Sequence, residues 1–119
     1  MSDPIVNFFD AWKIEDPTAR FEKVASAVTK SVDYDDPRTP ETINGINALS
    51  DYVGMFSANA PGWSAKVINT DTTAGVTRAT VAFSGLGPDG SEKVQIGQYF
   101  VEQEGELITR MVGFVGTGE

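Results

Sequence analysis

Asp33, Asp35 and Asp36 place three carboxylates within one short stretch, and the last of them is followed at once by Pro37. Neighbouring carboxylates suggest a divalent cation, but the stretch lacks the glycine at the sixth loop position and the closing glutamate that an EF-hand requires. No metal ligand set is assigned, and a solvated loop is the plainer reading of the cluster. Asp36 stands apart because of where it falls. It lies where a short β-branched segment runs into a loop, after two helical stretches and before a third, so it could sit at the mouth or wall of a cavity. Enclosed by aromatic rings there, a carboxylate loses part of the hydration that favours its charge and could take up and return a proton near neutral pH. The competing role is structural, an aspartate that caps the turn begun by Pro37.

The chain has no histidine and no cysteine. That removes the commonest general base, the commonest zinc ligand, every Ser-His or Cys-His pair and any disulfide. Catalysis, if present, rests on carboxylates, tyrosines, lysines, arginines or bound water. Aromatic residues supply the rest of the candidate site: Trp12, Tyr34, Tyr52, Phe56, Trp63, Phe83, Tyr99 and Phe114 are many for 119 residues. Such residues line ligand clefts as well as filling cores. Arg110 joins them in one register of the last strand, in which Ile108, Arg110, Val112 and Phe114 all face inward and Arg110 could pair with Asp36 or an anionic ligand. The opposite register puts Arg110 in solvent, because a slip of one residue flips every side chain.

With 17 acidic against 9 basic residues, the net charge of −8 would repel a phosphate backbone. The basic residues are scattered, so neither nucleic acid nor an anionic membrane is expected as a partner. Gly85, Gly87 and Gly90 match G-x-G-x-x-G, but a dinucleotide site needs a helix after the glycines and here an alternating strand pattern follows. The stretch reads as a hairpin turn, and no cofactor is expected. The start MSDPIVNFFDAW has neither a cationic opening nor a long apolar run, and the default expectation is a cytoplasmic location.

The elements that must position these residues follow from period and punctuation. Ser2-Asp3-Pro4 opens a helix over 4–15, with Ile5, Phe8, Phe9 and Trp12 on one face. Asp16-Pro17 repeats the signal and starts a second helix, with Phe21, Val24, Ala25 and Val28 as its apolar stripe. A short strand is expected over 31–34, followed by the loop DDPRTPET. A third helix starts near Gly45, carries Leu49, Tyr52, Val53 and Phe56, and ends at Pro61-Gly62. Alternation then predicts strands over 63–69, 76–86, 92–103 and 106–115, joined by DTTAG, GPDG and QEGE into an antiparallel meander. In 76–86, Ala79, Val81 and Phe83 form one face. In 92–103 both faces carry apolar bulk, with Val94, Ile96 and Phe100 opposite Tyr99 and Val101. The second face therefore needs a cover, either a second copy of the chain or its own C-terminal GTGE tail.

The segment Asp36-Pro37, then Ile43-Asn44-Gly45, then the helix with Leu49, Tyr52 and Val53, resembles the nuclear transport factor 2-like superfamily, in its SnoaL-like and ketosteroid-isomerase-like branch. The order of helices and meander resembles it over nearly the whole chain, as a single SnoaL-like domain at 1–119. The resemblance implies an α+β fold: three N-terminal helices packed on a curved, mostly antiparallel sheet, a cone-shaped, cystatin-like α+β barrel enclosing one pocket, with pairing through the outer sheet face. It also implies that Asp36 holds the base position. Ketosteroid isomerase adds an oxyanion hole made of a tyrosine and a protonated aspartate. Here those two places fall at Trp12 and near Gly97, so the oxyanion pair is missing and ketosteroid isomerisation is not expected. Nor do strands 76–115 supply the aspartate–arginine–aspartate set of limonene-epoxide-hydrolase-like members or the late-strand acid of SnoaL-type cyclases. What remains is a pocket protein for a small, largely apolar molecule, with Asp36 as proton shuttle if it is an isomerase or cyclase; the alternative is a dimerising module with a packed core and no catalysis.

Overall fold

The computed structural model describes residues 3–60 and 62–116. Ser2 of the first helix signal, Pro61 and the tail at 117–119 lie outside the described residues. The chain runs α1 (Pro4–Asp10), one 3-10 turn (Ala11–Lys13), α2 (Pro17–Ala25), β1 (Val28–Asp35), β2 (Ile43–Asn44), α3 (Ile46–Asn59), β3 (Ser64–Thr73), β4 (Val76–Leu86), β5 (Glu92–Glu104) and β6 (Leu107–Val115). Both aspartate-proline starts act as caps: Asp3 accepts from Ile5 N–H at 2.9 Å and Asp16 from Ala19 N–H at 2.9 Å, with proline at the first helical position of each.

The six strands form one sheet in the order β2-β1-β6-β5-β4-β3. Every neighbouring pair is antiparallel except β1 with β6, which is parallel. The fold is thus α+β, three helices covering one face of a mixed, mostly antiparallel sheet. Register shifts in the β1–β6, β3–β4 and β5–β6 pairs are bulges, which bend and twist strands around whatever they cover.

The helix expected over 4–15 is shorter, α1 giving way at Asp10 to the 3-10 turn that ends at Lys13, and three further features differ from the sequence reading. Val28 belongs to β1 and not to the second helix; Ser26 ends α2 with its hydroxyl donating to Lys23 C=O at 2.7 Å, and the β-branched run that follows pairs with β6. The first hairpin is tighter than DTTAG implies. Ala74 and Gly75 alone make the turn, with φ of 52° and 81°, and an Arg78–Asp71 pair at 2.8 Å and a Thr72–Thr77 hydroxyl pair at 2.8 Å zip the strands up to it.

The third difference decides a candidate site. A bulge opposite Glu102 and Gln103 breaks the alternation of β6, so Ile108, Met111 and Gly113 are buried whereas Arg110 and Phe114 face outward. Arg110 pairs with Glu102 at 3.3 Å in solvent, and Phe114, 53% exposed, packs edge-on to Phe100 at 5.7 Å on the outer sheet face.

Candidate functional site

Tyr34 is the last inward-facing residue of β1, and the chain then turns through Asp36, Pro37 and Arg38. The turn is held by Asp36 itself. Its Oδ1 accepts from the backbone N–H of Arg38 at 2.8 Å and of Thr39 at 3.2 Å, and its own N–H donates to Thr39 Oγ1 at 3.1 Å. Its Oδ2 points the other way, into the fold, and accepts from Tyr34 Oη–H at 2.7 Å and Tyr52 Oη–H at 2.6 Å. Asp36 therefore caps the turn with one oxygen, the structural role expected of it, and accepts from two core phenols with the other. A carboxylate offers about four lone-pair sites, and four donors fill them.

The acidic cluster disperses. Asp33 accepts from Asn44 Nδ2 at 2.9 Å and Asp35 from Thr42 Oγ1 at 2.9 Å, each on a different partner from Asp36. Among the described residues no three His, Cys, Asp or Glu side chains are placed to hold a metal ion.

Tyr52 reaches Asp36 from α3, on the same helix face as Phe56 one turn later. Tyr99 reaches the cluster from β5, its hydroxyl 3.4 Å from that of Tyr34. Burial comes first in raising all three phenols. Tyr34 is held well above the usual phenol range by burial, then by the charges of Tyr99 and Asp36; Tyr52 is raised by burial and then by its hydrogen bond to Asp36; Tyr99 is pushed up to about 12 by burial, while its contact with the Tyr34 hydroxyl opposes the rise. At neutral pH all three are O–H groups.

Gly113 makes Tyr99's position possible. A Cβ added there would lie 2.5 Å from the Tyr99 ring, which rests flat on the glycine across the strand pair. Gly113→Val is expected to cost about 1–3 kcal/mol in chemical denaturation, the usual cost of overpacking, and to expel Tyr99 from the cluster. A variant as stable as the wild type, with Tyr99 unmoved, would contradict this packing.

Space around the cluster is divided. A cavity of ≈ 30 Å³ lies beside Asp36, Gln95, Gly97 and Tyr99, room for water and not for a larger molecule. An adjoining cleft of ≈ 420 Å³ is walled by Trp12, Tyr52, Met55, Phe56, Trp63 and Phe83, and shares Arg38, Phe83 and Gln95 with the cavity. Where the sequence predicted one pocket, the rings of Phe9, Trp12, Phe83 and Tyr99 fill the centre, with Phe9–Tyr99 at 4.8 Å and Trp12–Phe83 at 5.5 Å. Other hollows of similar size, at Lys13 and Lys66 and at Lys23 and Glu106, have no tyrosine or tryptophan in their walls.

The structure thus gathers Asp36, Tyr34, Tyr52 and Tyr99 into one hydrogen-bonded group, and sets Trp12, Phe56, Trp63 and Phe83 around the neighbouring cleft. Trp12, 1% exposed, has an indole N–H with no hydrogen-bond partner among the described residues. Arg110 and the Phe114 ring stand apart from this group; Phe114 borders the small cavity only at the end of β6. Sequence reasoning missed Thr39, Arg38 and Gln95. The first two were signalled by their place in the turn that Asp36 caps, whereas Gln95 meets them only through the sheet.

A protein from Agrobacterium tumefaciens described as a candidate isomerase of the SnoaL-like family superposes with a TM-score of 0.79 at 22% identity, over 96% of this chain and 95% of that one. The chain has the nuclear transport factor 2-like fold. Within the same fold, a ketosteroid-isomerase-like protein from Catenulispora acidiphila, crystallised with trimethylamine, gives a TM-score of 0.76 at 12% identity over 95% and 85% of the two chains. A candidate SnoaL-like polyketide cyclase from a Jannaschia species gives 0.75 at 12% identity over 94% and 82%. No protein-family profile matches the chain, and no curated protein does. Identities this low carry the fold alone, so the nuclear transport factor 2-like architecture is shared while the activity has to be argued from the site. Among the described residues no helix is long and apolar enough to cross a membrane.

Proposed function

We propose that this chain binds a small, largely apolar molecule in the cleft between Trp12, Phe56 and Trp63, and that Asp36 with Tyr52 performs proton transfer on it. The observation that carries the reading is the 2.6 Å bond from Tyr52 Oη–H to Asp36 Oδ2, made by a half-buried residue that also walls the cleft. If a ligand carbonyl oxygen enters beside Tyr52, the phenol can turn its proton from Asp36 to that oxygen. One rotation then does two things: it polarises the carbonyl and it frees a lone pair on Oδ2 to accept a proton from the adjacent carbon. Tyr34 stays on Oδ2 and keeps the carboxylate in place. SnoaL-like isomerases and cyclases, as named among the proteins of the same fold, are enzymes for which such a shuttle is apt.

A second reading has its own support. The space directly at Asp36 is only ≈ 30 Å³, as expected if the carboxylate–tyrosine group is a satisfied polar core. A thermal-shift screen of small carbonyl compounds against wild type and Asp36→Asn separates the two. Compounds that stabilise the wild type by about 2–3 kcal/mol at a hundredfold excess over Kd, and are turned over only when Asp36 is present, support the shuttle. Turnover unchanged in Asp36→Asn removes Asp36 from the chemistry.

Pairing through the outer sheet face is part of the same proposal. Val94, Phe100 and Phe114 are exposed on the outer face of β5 and β6, with Phe100 and Phe114 in contact, an apolar patch that a second copy would cover. Sedimentation is expected to give a dimer for the wild type and a monomer for Phe100→Glu; a wild-type monomer at high micromolar concentration would refute the pairing.

A further inference from the structure

Arg38 is the one cationic side chain among the described residues that wall the cleft. It also borders the cavity at Asp36, so it stands where the two spaces meet. A guanidinium carries five N–H donors in a planar fork. The hydrogen bond its side chain makes among the described residues is a long one, Nη2 to the neutral Gln95 Oε1 at 3.3 Å. The ion pairs of the described residues join Arg78 to Asp71, Lys93 to Asp89 and Arg110 to Glu102, and none reaches Arg38.

The carboxylate nearest in sequence is already engaged. Asp36 spends Oδ2 on two phenols and Oδ1 on two backbone N–H groups, one of them that of Arg38. That last bond also fixes the backbone from which the guanidinium springs, so the cation is held at the cleft mouth by the group that orders Tyr34 and Tyr52. A fork with unused donors beside an aromatic wall is the arrangement that receives a carboxylate in two parallel hydrogen bonds.

We propose that the cleft selects ligands with an apolar body and one carboxylate, the body against Trp12, Phe56 and Trp63 and the carboxylate on Arg38. This rests on the ligand-cleft reading above and adds the ligand class. The net charge of −8 opposes an anion at long range, but that repulsion is screened beyond about 8 Å at physiological ionic strength. A local cation then decides, and Arg38 supplies it.

The test uses two probes of one shape, 1-adamantanecarboxylate and 1-adamantanecarboxamide, titrated by calorimetry into wild type, Arg38→Gln and Arg38→Lys. Because Arg38 is exposed, these variants are expected to unfold at the wild-type denaturant midpoint. The acid is expected to bind the wild type about tenfold more tightly than the amide, the size of one charge-assisted hydrogen-bonded contact. Arg38→Gln should bind both equally, and Arg38→Lys should retain part of the preference. Equal binding of acid and amide by the wild type overturns the assignment of Arg38, as does a preference that survives Arg38→Gln. Binding of neither probe by the wild type overturns the ligand cleft itself, and the assignment with it.

Discussion

Asp36→Ala is expected to lower folding stability by about 2–4 kcal/mol, because it strands a wholly buried Tyr34 hydroxyl and a half-buried Tyr52 hydroxyl, at about 1–3 kcal/mol for each unsatisfied donor. Of the two backbone N–H groups on Oδ1, that of Arg38 is exposed and that of Thr39 part-buried, so water at the turn replaces most of the lost acceptor and they add little. Asp36→Asn should fall between. Backbone N–H groups cannot reverse their polarity, so the amide oxygen of Asn must take Arg38 and Thr39, leaving an NH₂ facing the two phenols. Phenol oxygens can accept from that NH₂, but their own protons then lose an acceptor. Urea unfolding measures both variants, and a loss below about 0.5 kcal/mol, the range of ordinary surface substitutions, would mean that the carboxylate does not hold the tyrosines.

The second large effect is alkaline. The chain has three tyrosines, and all three sit in this one cluster, so phenolate absorbance reports on the site alone. Each phenol is raised by folding. A raised group adds stability that is complete below the unfolded value of about 10 and is lost as pH climbs through the folded one, because the unfolded chain gives up its protons first. Tyr34 and Tyr99, both buried, should each remove about 1.4 kcal/mol per pH unit in that window. Tyr52, half exposed, adds less because solvent screens it. Against a typical domain stability of about 5–15 kcal/mol, the fold should collapse within a few units of pH 10, and phenolate should appear together with the loss of ellipticity. Phenolate rising near pH 10 in a chain of unchanged ellipticity would contradict the buried cluster. In Asp36→Asn, where the neighbouring charge is gone, Tyr52 should ionise at lower pH than in the wild type.

Much of the fold was legible because its signals are local. Two aspartate-proline caps, a helical stripe ending near Phe56 and four alternating strands read directly into α1, α2, α3 and β3 to β6. Long-range pairing hid the rest. Nothing near Val28 announces a parallel partner some eighty residues away at Ile108, and no alternation rule anticipates the bulge that turns Arg110 and Phe114 outward. Asp36 was singled out from its neighbours by its position and by the resemblance of the Asp36-Pro37 segment, and its tyrosine partners were named only as lining residues. The hydrogen bonds from β1, α3 and the turn that converge on its two oxygens depend on the packing of elements that sequence spacing does not bring together. Gly113 shows the same limit: its purpose is the Tyr99 ring across the strand pair.

Trp12 and Trp63 are the two tryptophans of the chain, and both wall the cleft. Ligand in the cleft must therefore change the indole emission. Titrating thermal-shift hits into wild type and Ala60→Phe, in which a ring replaces a small residue of the cleft wall, shows whether the ligand occupies this cleft. A saturable change in wild-type emission with the same Kd as the thermal stabilisation is expected, and its loss in Ala60→Phe; hits that stabilise the protein without altering tryptophan emission, or that bind Ala60→Phe as well as the wild type, would place the ligand elsewhere.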